Sequence, residues 1–84
     1  MTRAGRPRRV GKEVFSERLR YAMDKRNING LMLSKYIGVT HQAISLYVNG
    51  SMIPKRGNLE RLANTLEVSQ DWLLGLTANW KIEP

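Results

Sequence analysis

Cysteine is absent from the chain, and histidine occurs once, as His41. Without cysteine there is no disulfide framework, no thiolate metal site and no cysteine nucleophile, and one imidazole excludes a cluster of histidine ligands. No stretch approaches the roughly 20 apolar residues that cross a bilayer, and no apolar segment follows the basic N-terminus as in a signal peptide. The sequence therefore predicts no metal, no cofactor, no membrane span and a cytoplasmic location.

The residues that catalysis needs are missing as well. The chain has no Ser-His-Asp grouping in plausible reach, no glycine-rich phosphate loop and no clustered carboxylates, so general acid–base chemistry lacks its participants. A length of 84 residues allows one small domain, and 42% hydrophobic content suffices for a core but leaves little room for an enclosed catalytic cavity. We expect a binding protein and not an enzyme.

Positive charge is the most prominent feature that is present. The chain carries 14 Lys and Arg against 7 Asp and Glu, a formal net charge of +7. Residues 13–84 contribute only +2 of this charge. The remaining +5 comes from an N-terminal segment without acidic residues, which contains Arg3, Arg6, Arg8, Arg9 and Lys12. Residues 1–11 have the composition of a flexible basic arm. Such an arm is either a solubilising tail or a segment that binds phosphates or enters a DNA groove.

From residue 12 onward the apolar residues recur at helical spacing, and no stretch alternates like a strand. The pattern predicts an all-α fold of five short helices, near residues 12–26, 30–37, 41–48, 59–66 and 70–75, with a loop over 50–57. Asn29, Thr40 and Ser69 are N-cap candidates, and Gly38 is expected in left-handed geometry at a tight corner. These helices predict one domain over 12–76, followed by a tail or the start of a linker over 77–84.

Two of the predicted helices flank Gly38 and form a helix-turn-helix pattern. The residues expected to face inward are Leu33, Ile37, Val39, Ile44 and Tyr47. The second helix, residues 41–48, would then stand out from the body and enter a DNA major groove. Because an ordinary helical hairpin also shows this pattern, the motif alone leaves both interpretations open.

The residues around the motif carry a resemblance to a known family. The spaced pattern consists of Ile44-Ser45-x-x-x-Asn49-Gly50, Pro54, Leu59-x-x-Leu62-Ala63 and Leu66-x-Val68-Ser69-x-x-Trp72-Leu73-Leu74. It resembles the Cro/CI-type family, also called the Xre or lambda-repressor-like family, over residues 16 to about 75. The resemblance implies a compact five-helix domain of a transcriptional regulator, most often a phage or bacterial repressor. Such a domain binds as a homodimer to a double-stranded DNA operator with two-fold symmetry.

The resemblance also implies which residues contact DNA. Those expected to reach base edges in the major groove are His41, Gln42, Ala43, Ser45 and Leu46. Those expected to contact the sugar-phosphate backbone are Asn29, Gly30, Lys35, Thr40, Asn49, Ser51, Lys55 and Arg56. For the polar residues the alternative is an ordinary solvated surface position, and for His41 a base edge, a phosphate and no contact all stay open.

Three departures from the family pattern are visible. Gly30 stands where many members have Gln, and two adjacent apolar residues, Leu31 and Met32, stand where polar residues are common, which suggests an extra contact with the arm or a partner, or a modest local patch. Met23 and Val48 occupy the positions of an Arg–Glu salt bridge in many relatives. Because apolar packing can replace a buried ion pair, we expect these two side chains to touch.

The C-terminal region supplies a possible subunit contact. Trp72, Leu76 and Trp80 are predicted there, although Trp72 and Leu73 can equally complete the core. The alternative function is a protein–protein interaction module of the same fold, antitoxin-like or an adaptor domain. RNA or membrane-surface binding through the arm is less favoured, because the six aromatic residues mostly fall at buried or terminal positions. Whether the chain is a whole regulator or part of a longer repressor is left open.

Overall fold

The computed structural model describes residues 11–81, and five α-helices make up its regular structure. They are α1 (Lys12–Arg26), α2 (Gly30–Ile37), α3 (His41–Val48), α4 (Arg56–Leu66) and α5 (Gln70–Leu73). The described range contains no strand, which confirms the predicted all-α fold. Two bounds correct the prediction: α4 begins at Arg56, inside the expected loop, and α5 ends at Leu73 instead of Gly75.

Local cap chemistry explains where three helices begin. The Asn29 side-chain oxygen accepts from the Met32 N–H at 2.8 Å, and the Thr40 hydroxyl accepts from the Ala43 N–H at 3.0 Å. Ser69 caps α5 in the same way. These bonds satisfy N–H groups that have no partner inside the helix, and they confirm all three predicted N-caps.

A single glycine makes the corner between α2 and α3. Gly38 has φ 75°, in the left-handed region, and its N–H donates to the Ser34 carbonyl at 2.9 Å. Because a residue with a Cβ is strained in this conformation, glycine suits the tight turn. The corner turns α3 away from α2 within three residues and confirms the helix-turn-helix geometry.

The core receives side chains from all five helices. The largest fully buried side chains are Phe15, Leu19, Leu33, Ile44, Leu62, Leu66 and Leu73. The inward face predicted for the motif is confirmed, with Leu33, Ile37, Ile44 and Tyr47 buried and Val39 half-buried against the core. Full burial of one such apolar side chain stabilises the fold by about 1.5–3 kcal/mol. Ile44 and Tyr47 therefore hold α3 rigidly on the body by its inner face.

A buried serine also joins α1 to the end of α3. The Ser16 hydroxyl donates to the Val48 carbonyl at 2.6 Å, and Ser16 is only 5% exposed. Val48 is the last residue of α3, so its carbonyl has no partner inside the helix. Met23 and Val48 are both half-buried against the core, and the predicted contact between their side chains stays a prediction.

Replacing Ser16 with alanine is expected to lower the free energy of unfolding by about 1–3 kcal/mol, because a buried carbonyl loses its donor. Urea unfolding followed by circular dichroism measures the change. The matched control is Ser34→Ala, since Ser34 is equally buried but donates only to Leu31 within its own helix. We expect the control to lose less than about 1 kcal/mol. Equal losses in the two variants would show that the link to α3 adds no stability.

The segment after α5 is bound to the body. One guanidinium nitrogen of Arg18 donates to the carbonyls of Trp72 at 2.6 Å and Thr77 at 2.8 Å. The Ser69 N–H donates to the Trp80 carbonyl at 2.8 Å. These bonds hold residues 77–80 against the body as a tail, and the predicted domain boundary stays a prediction.

Candidate nucleic-acid interface

The outer face of α3 carries the residues predicted to read bases. His41, Gln42 and Ser45 are exposed, whereas Ala43 and Leu46 are half-buried. This division follows from the helical period, because Ile44 and Tyr47 occupy the inner face and their neighbours lie at its margins. The first turn of α3 therefore presents an imidazole and an amide to the outside, with smaller or apolar side chains beside them.

The residues predicted to contact the DNA backbone lie at the N-terminus of α2, at the corner of the motif and in the segment that follows α3. Asn29 and Thr40 are exposed, and their side-chain oxygens cap their own helices. Behind α3, the Asn49 side-chain oxygen accepts from the Ser51 N–H at 2.9 Å. These three side-chain oxygens therefore shape the backbone, while the first N–H groups of each capped helix stay available to an acceptor from outside.

Two predicted cations lie at the start of α4. Lys55 is its N-cap position and Arg56 its first residue, and both are exposed. The expected loop over 50–57 is corrected at its end, because Arg56 and Gly57 already belong to α4, whereas Lys55 keeps an extended backbone just before it. Lys35, also exposed, lies in the last turn of α2.

The cations of the described residues divide into two groups by their partners. Four arginine side chains donate hydrogen bonds to oxygen atoms of the fold: Arg18, Arg20, Arg26 and Arg61. Within 11–81, the side chains of three predicted contact residues form no hydrogen bond or ion pair with the protein: Lys35, Lys55 and Arg56. Four of the body's arginines thus bond to the fold, and the contact residues predicted from sequence are among the exposed cations that stay available to a polyanion.

The predicted arm lies mostly outside the described residues, and this applies to Arg3, Arg6, Arg8 and Arg9. Lys12, assigned to the arm from sequence, is instead the first residue of α1 and is exposed there. The helix begins where the sequence predicts it, and a contact of Lys12 with DNA stays a prediction.

Sequence reasoning missed an exposed aromatic residue on α2. Tyr36 is 60% exposed, and the adjacent apolar residues Leu31 and Met32 are also exposed. Tyr36 lies outside the inward-facing stripe of Leu33 and Ile37, so the helical spacing could have predicted that Tyr36 is exposed. Tyr21 on α1 is a second exposed aromatic, which weakens the reason for disfavouring RNA.

The predicted subunit contact is only partly accessible. Trp72 is 7% exposed and belongs to the core, which corrects its assignment to a subunit surface. Leu76 and Trp80 are exposed, and Trp80 borders a groove between α1 and α5. That groove is lined by Tyr21, Ala22, Lys25, Arg26, Val68, Trp72 and Trp80.

Comparison with known proteins assigns the chain to a family. A family model described as helix-turn-helix matches residues 19–73, which include the whole motif, all of α4 and α5, and the second half of α1. The chain belongs to this family, the Cro/CI-type helix-turn-helix proteins. No curated protein matches the chain.

Two solved structures of repressors share this family fold. The P22 c2 repressor protein, solved in complex with a synthetic operator, is 33% identical with a TM-score of 0.71, and the match covers 75% of this chain and 96% of that one. A LexA SOS-response transcriptional repressor from Eubacterium rectale is 28% identical with a TM-score of 0.73, covering 87% of this chain and 79% of the other. Family and neighbours together support a DNA-binding transcriptional regulator and a DNA partner.

Membrane spans and metal clusters are both absent from the part of the chain that the structure describes. None of its helices has the length and hydropathy to cross a membrane. No group of three or more His, Cys, Asp or Glu side chains is placed to hold a metal ion there.

Proposed function

We propose that the protein is a sequence-specific regulator of transcription, a repressor of phage or bacterial type, with α3 in the major groove of double-stranded DNA. One observation carries the proposal. The first turn of α3 presents exposed His41 and Gln42, while Ile44 and Tyr47 fix the opposite face of the same helix in the core. A helix held in this way offers side chains to base edges without losing its own packing.

Each residue of this surface has a chemical role in the proposal. His41 donates to a guanine N7 or to a phosphate. Gln42 pairs with adenine through N6 and N7, and Ser45 one turn further on bonds to a base edge. Ala43 and Leu46 offer apolar surface to thymine methyl groups. Lys55 and Arg56 bind phosphates, because they are exposed and carry charge that no oxygen of the described residues takes up.

The proposal includes a homodimer on a two-fold symmetric operator. One domain of this size reads only a half-site of a few base pairs, so two copies are needed for useful specificity. Three exposed apolar residues lie away from α3: Tyr21 is on α1, and Leu76 and Trp80 follow α5. The base-reading residues lie on α3. A dimer formed by that surface leaves both α3 helices free for DNA. The basic arm, residues 1–11, lies along the backbone or in the minor groove.

The test begins with selection of bound fragments from random double-stranded DNA. On the selected operator, Gln42→Ala is expected to weaken binding by about 1–3 kcal/mol and to relax the preference at one base pair. The matched control, Asn64→Ala, removes an exposed amide from α4 and should leave affinity unchanged. If Gln42→Ala weakens binding equally on random DNA, Gln42 is a non-specific contact.

The outer face of α2 favours a second candidate, a protein–protein interaction module. Leu31, Met32 and Tyr36 are exposed there, and adjacent apolar side chains on a surface are typical of protein contacts. The selection separates the two candidates. If no sequence is enriched from random DNA, the interaction module is the better description.

A further inference from the structure

Gly30 is the first residue of α2, and its backbone conformation is one that any residue can adopt. The glycines of the described residues with positive φ are Gly11, Gly38, Gly50 and Gly75, and Gly30 is not among them. Its conformation is helical, and glycine in a helix is less favourable than alanine. The reason for glycine at this position therefore lies in its surroundings.

The space that a side chain at position 30 would fill holds the imidazole of His41. A Cβ on Gly30 would lie 3.2 Å from Nε2 and 3.4 Å from Cδ2 of that ring. The 3.2 Å approach is tighter than nine in ten real Cβ contacts, so the ring would have to move by a few tenths of an ångström. The other neighbour, Cγ2 of Ile44, would be at 3.5 Å, an ordinary van der Waals contact.

We infer that Gly30 is a positioning residue of the DNA-reading surface, because its missing side chain lets the His41 ring lie against the first turn of α2. The inference rests on the proposed function. His41 opens the recognition helix, so the contact joins the two helices of the motif at its DNA-facing end. With the Nε2–Cδ2 edge against α2, Nδ1 lies on the opposite side of the ring. Gly30 thereby sets which nitrogen of His41 faces a ligand.

A positioning role of Gly30 differs from a merely structural role, because a substitution at position 30 then affects DNA binding only through the His41 ring. A larger side chain at position 30 displaces the imidazole and removes whatever DNA contact it makes. Without the imidazole, the same substitution has no ring to displace. The effect of a change at position 30 therefore depends on the residue at position 41, which a merely structural role of glycine in α2 does not require.

The experiment is a double-mutant cycle on the operator selected by the unaltered protein. Gly30→Leu and His41→Ala are each expected to weaken binding by about five- to a hundredfold, the value of one specific contact. In the His41→Ala background, Gly30→Leu should add less than about threefold, because contacting residues are coupled. Equal costs of Gly30→Leu in both backgrounds would overturn the inference.

Nuclear magnetic resonance of the free protein gives a second measurement that needs no DNA. His41 is the only histidine, so its ring signals are assigned without ambiguity. Gly30→Ala should shift the ring ¹H and ¹⁵N resonances, whereas Gly57→Ala should not, since a Cβ on Gly57 meets nothing within 4 Å. An unmoved ring in Gly30→Ala would contradict the contact itself. If the selection enriches no DNA sequence while the ring shifts, the packing stands and the proposed function fails.

Discussion

Replacing Trp72 with alanine is expected to lower the free energy of unfolding by about 3–5 kcal/mol, the usual cost of deleting a large buried aromatic side chain. The indole is 7% exposed. The Arg18 guanidinium lies 5.1 Å from its ring centroid and the Tyr21 ring 6.1 Å away. Urea unfolding at several protein concentrations measures the loss, which should not depend on concentration because these side chains pack within one subunit.

Trp80→Ala is the matched variant for Trp72→Ala. Trp80 is 45% exposed at the edge of the α1–α5 groove, so its removal should cost less than about 1 kcal/mol of monomer stability. If the proposed dimer uses this surface, sedimentation equilibrium should show weaker self-association in Trp80→Ala. A Trp72→Ala protein that keeps its stability but no longer self-associates would return Trp72 to the subunit contact.

The parts of the fold that could be predicted from sequence depend on local chemistry. Helical faces follow from a period of 3.6 residues, which places Leu59, Leu62 and Leu66 on one side of α4. N-caps follow from a side-chain oxygen three residues before the N–H that it binds, as with Asn29 and Thr40. Both signals lie within a few residues, so the sequence contains them directly.

The end of α4 at Leu66 was predicted from the apolar pattern, but the conformation of the residue that follows it could not be predicted in this way. Glu67 takes the left-handed conformation with φ 59°, which is uncommon for a residue that is not glycine. It is held from α1, because Arg26 donates to the carbonyls of Leu66 at 2.9 Å and Glu67 at 3.4 Å and forms an ion pair with the Glu67 carboxylate at 3.9 Å. Arg26 also places positive charge at the helix C-terminus, where it is favourable. The contacting residues lie about 40 positions apart, so no local pattern contains them.

The candidate site shows the same division. Exposure of Gln42 and Ser45 follows from the helical period and the family resemblance, and the structure agrees. The contact between Gly30 and His41 could not be predicted from either, because the sequence shows that Gly30 has no side chain but not that the His41 ring occupies the space. The α4 start at Arg56 was also missed, since α4 has no side-chain cap hydrogen bond that would mark it.

The charge of the protein can be assigned to separate roles, and salt dependence tests the assignment. Lys55→Gln with Arg56→Gln removes two exposed cations that have no hydrogen bond or ion pair in the described part of the chain. If both bind phosphate, the slope of log affinity against log salt should become shallower by about 0.9 for each phosphate that is no longer bound. Deleting residues 1–9 removes four further cations and should flatten the slope again if the arm lies on DNA. Fluorescence anisotropy with the selected operator over a series of salt concentrations gives each slope.

The matched control removes the same charge from elsewhere. Lys25→Gln with Lys81→Gln also lowers the net charge by two, at the end of α1 and after α5. Because Lys25 lines the α1–α5 groove, sedimentation equilibrium first checks that this variant self-associates as the unaltered protein does. Counterion release depends on the phosphates that the protein neutralises, and exposed charges farther away than about 10 Å are largely screened at 0.1 M salt. The control slope should therefore stay close to that of the unaltered protein. Equal flattening in the two double variants would show that bulk charge, and not phosphate binding at the start of α4, draws the protein to DNA.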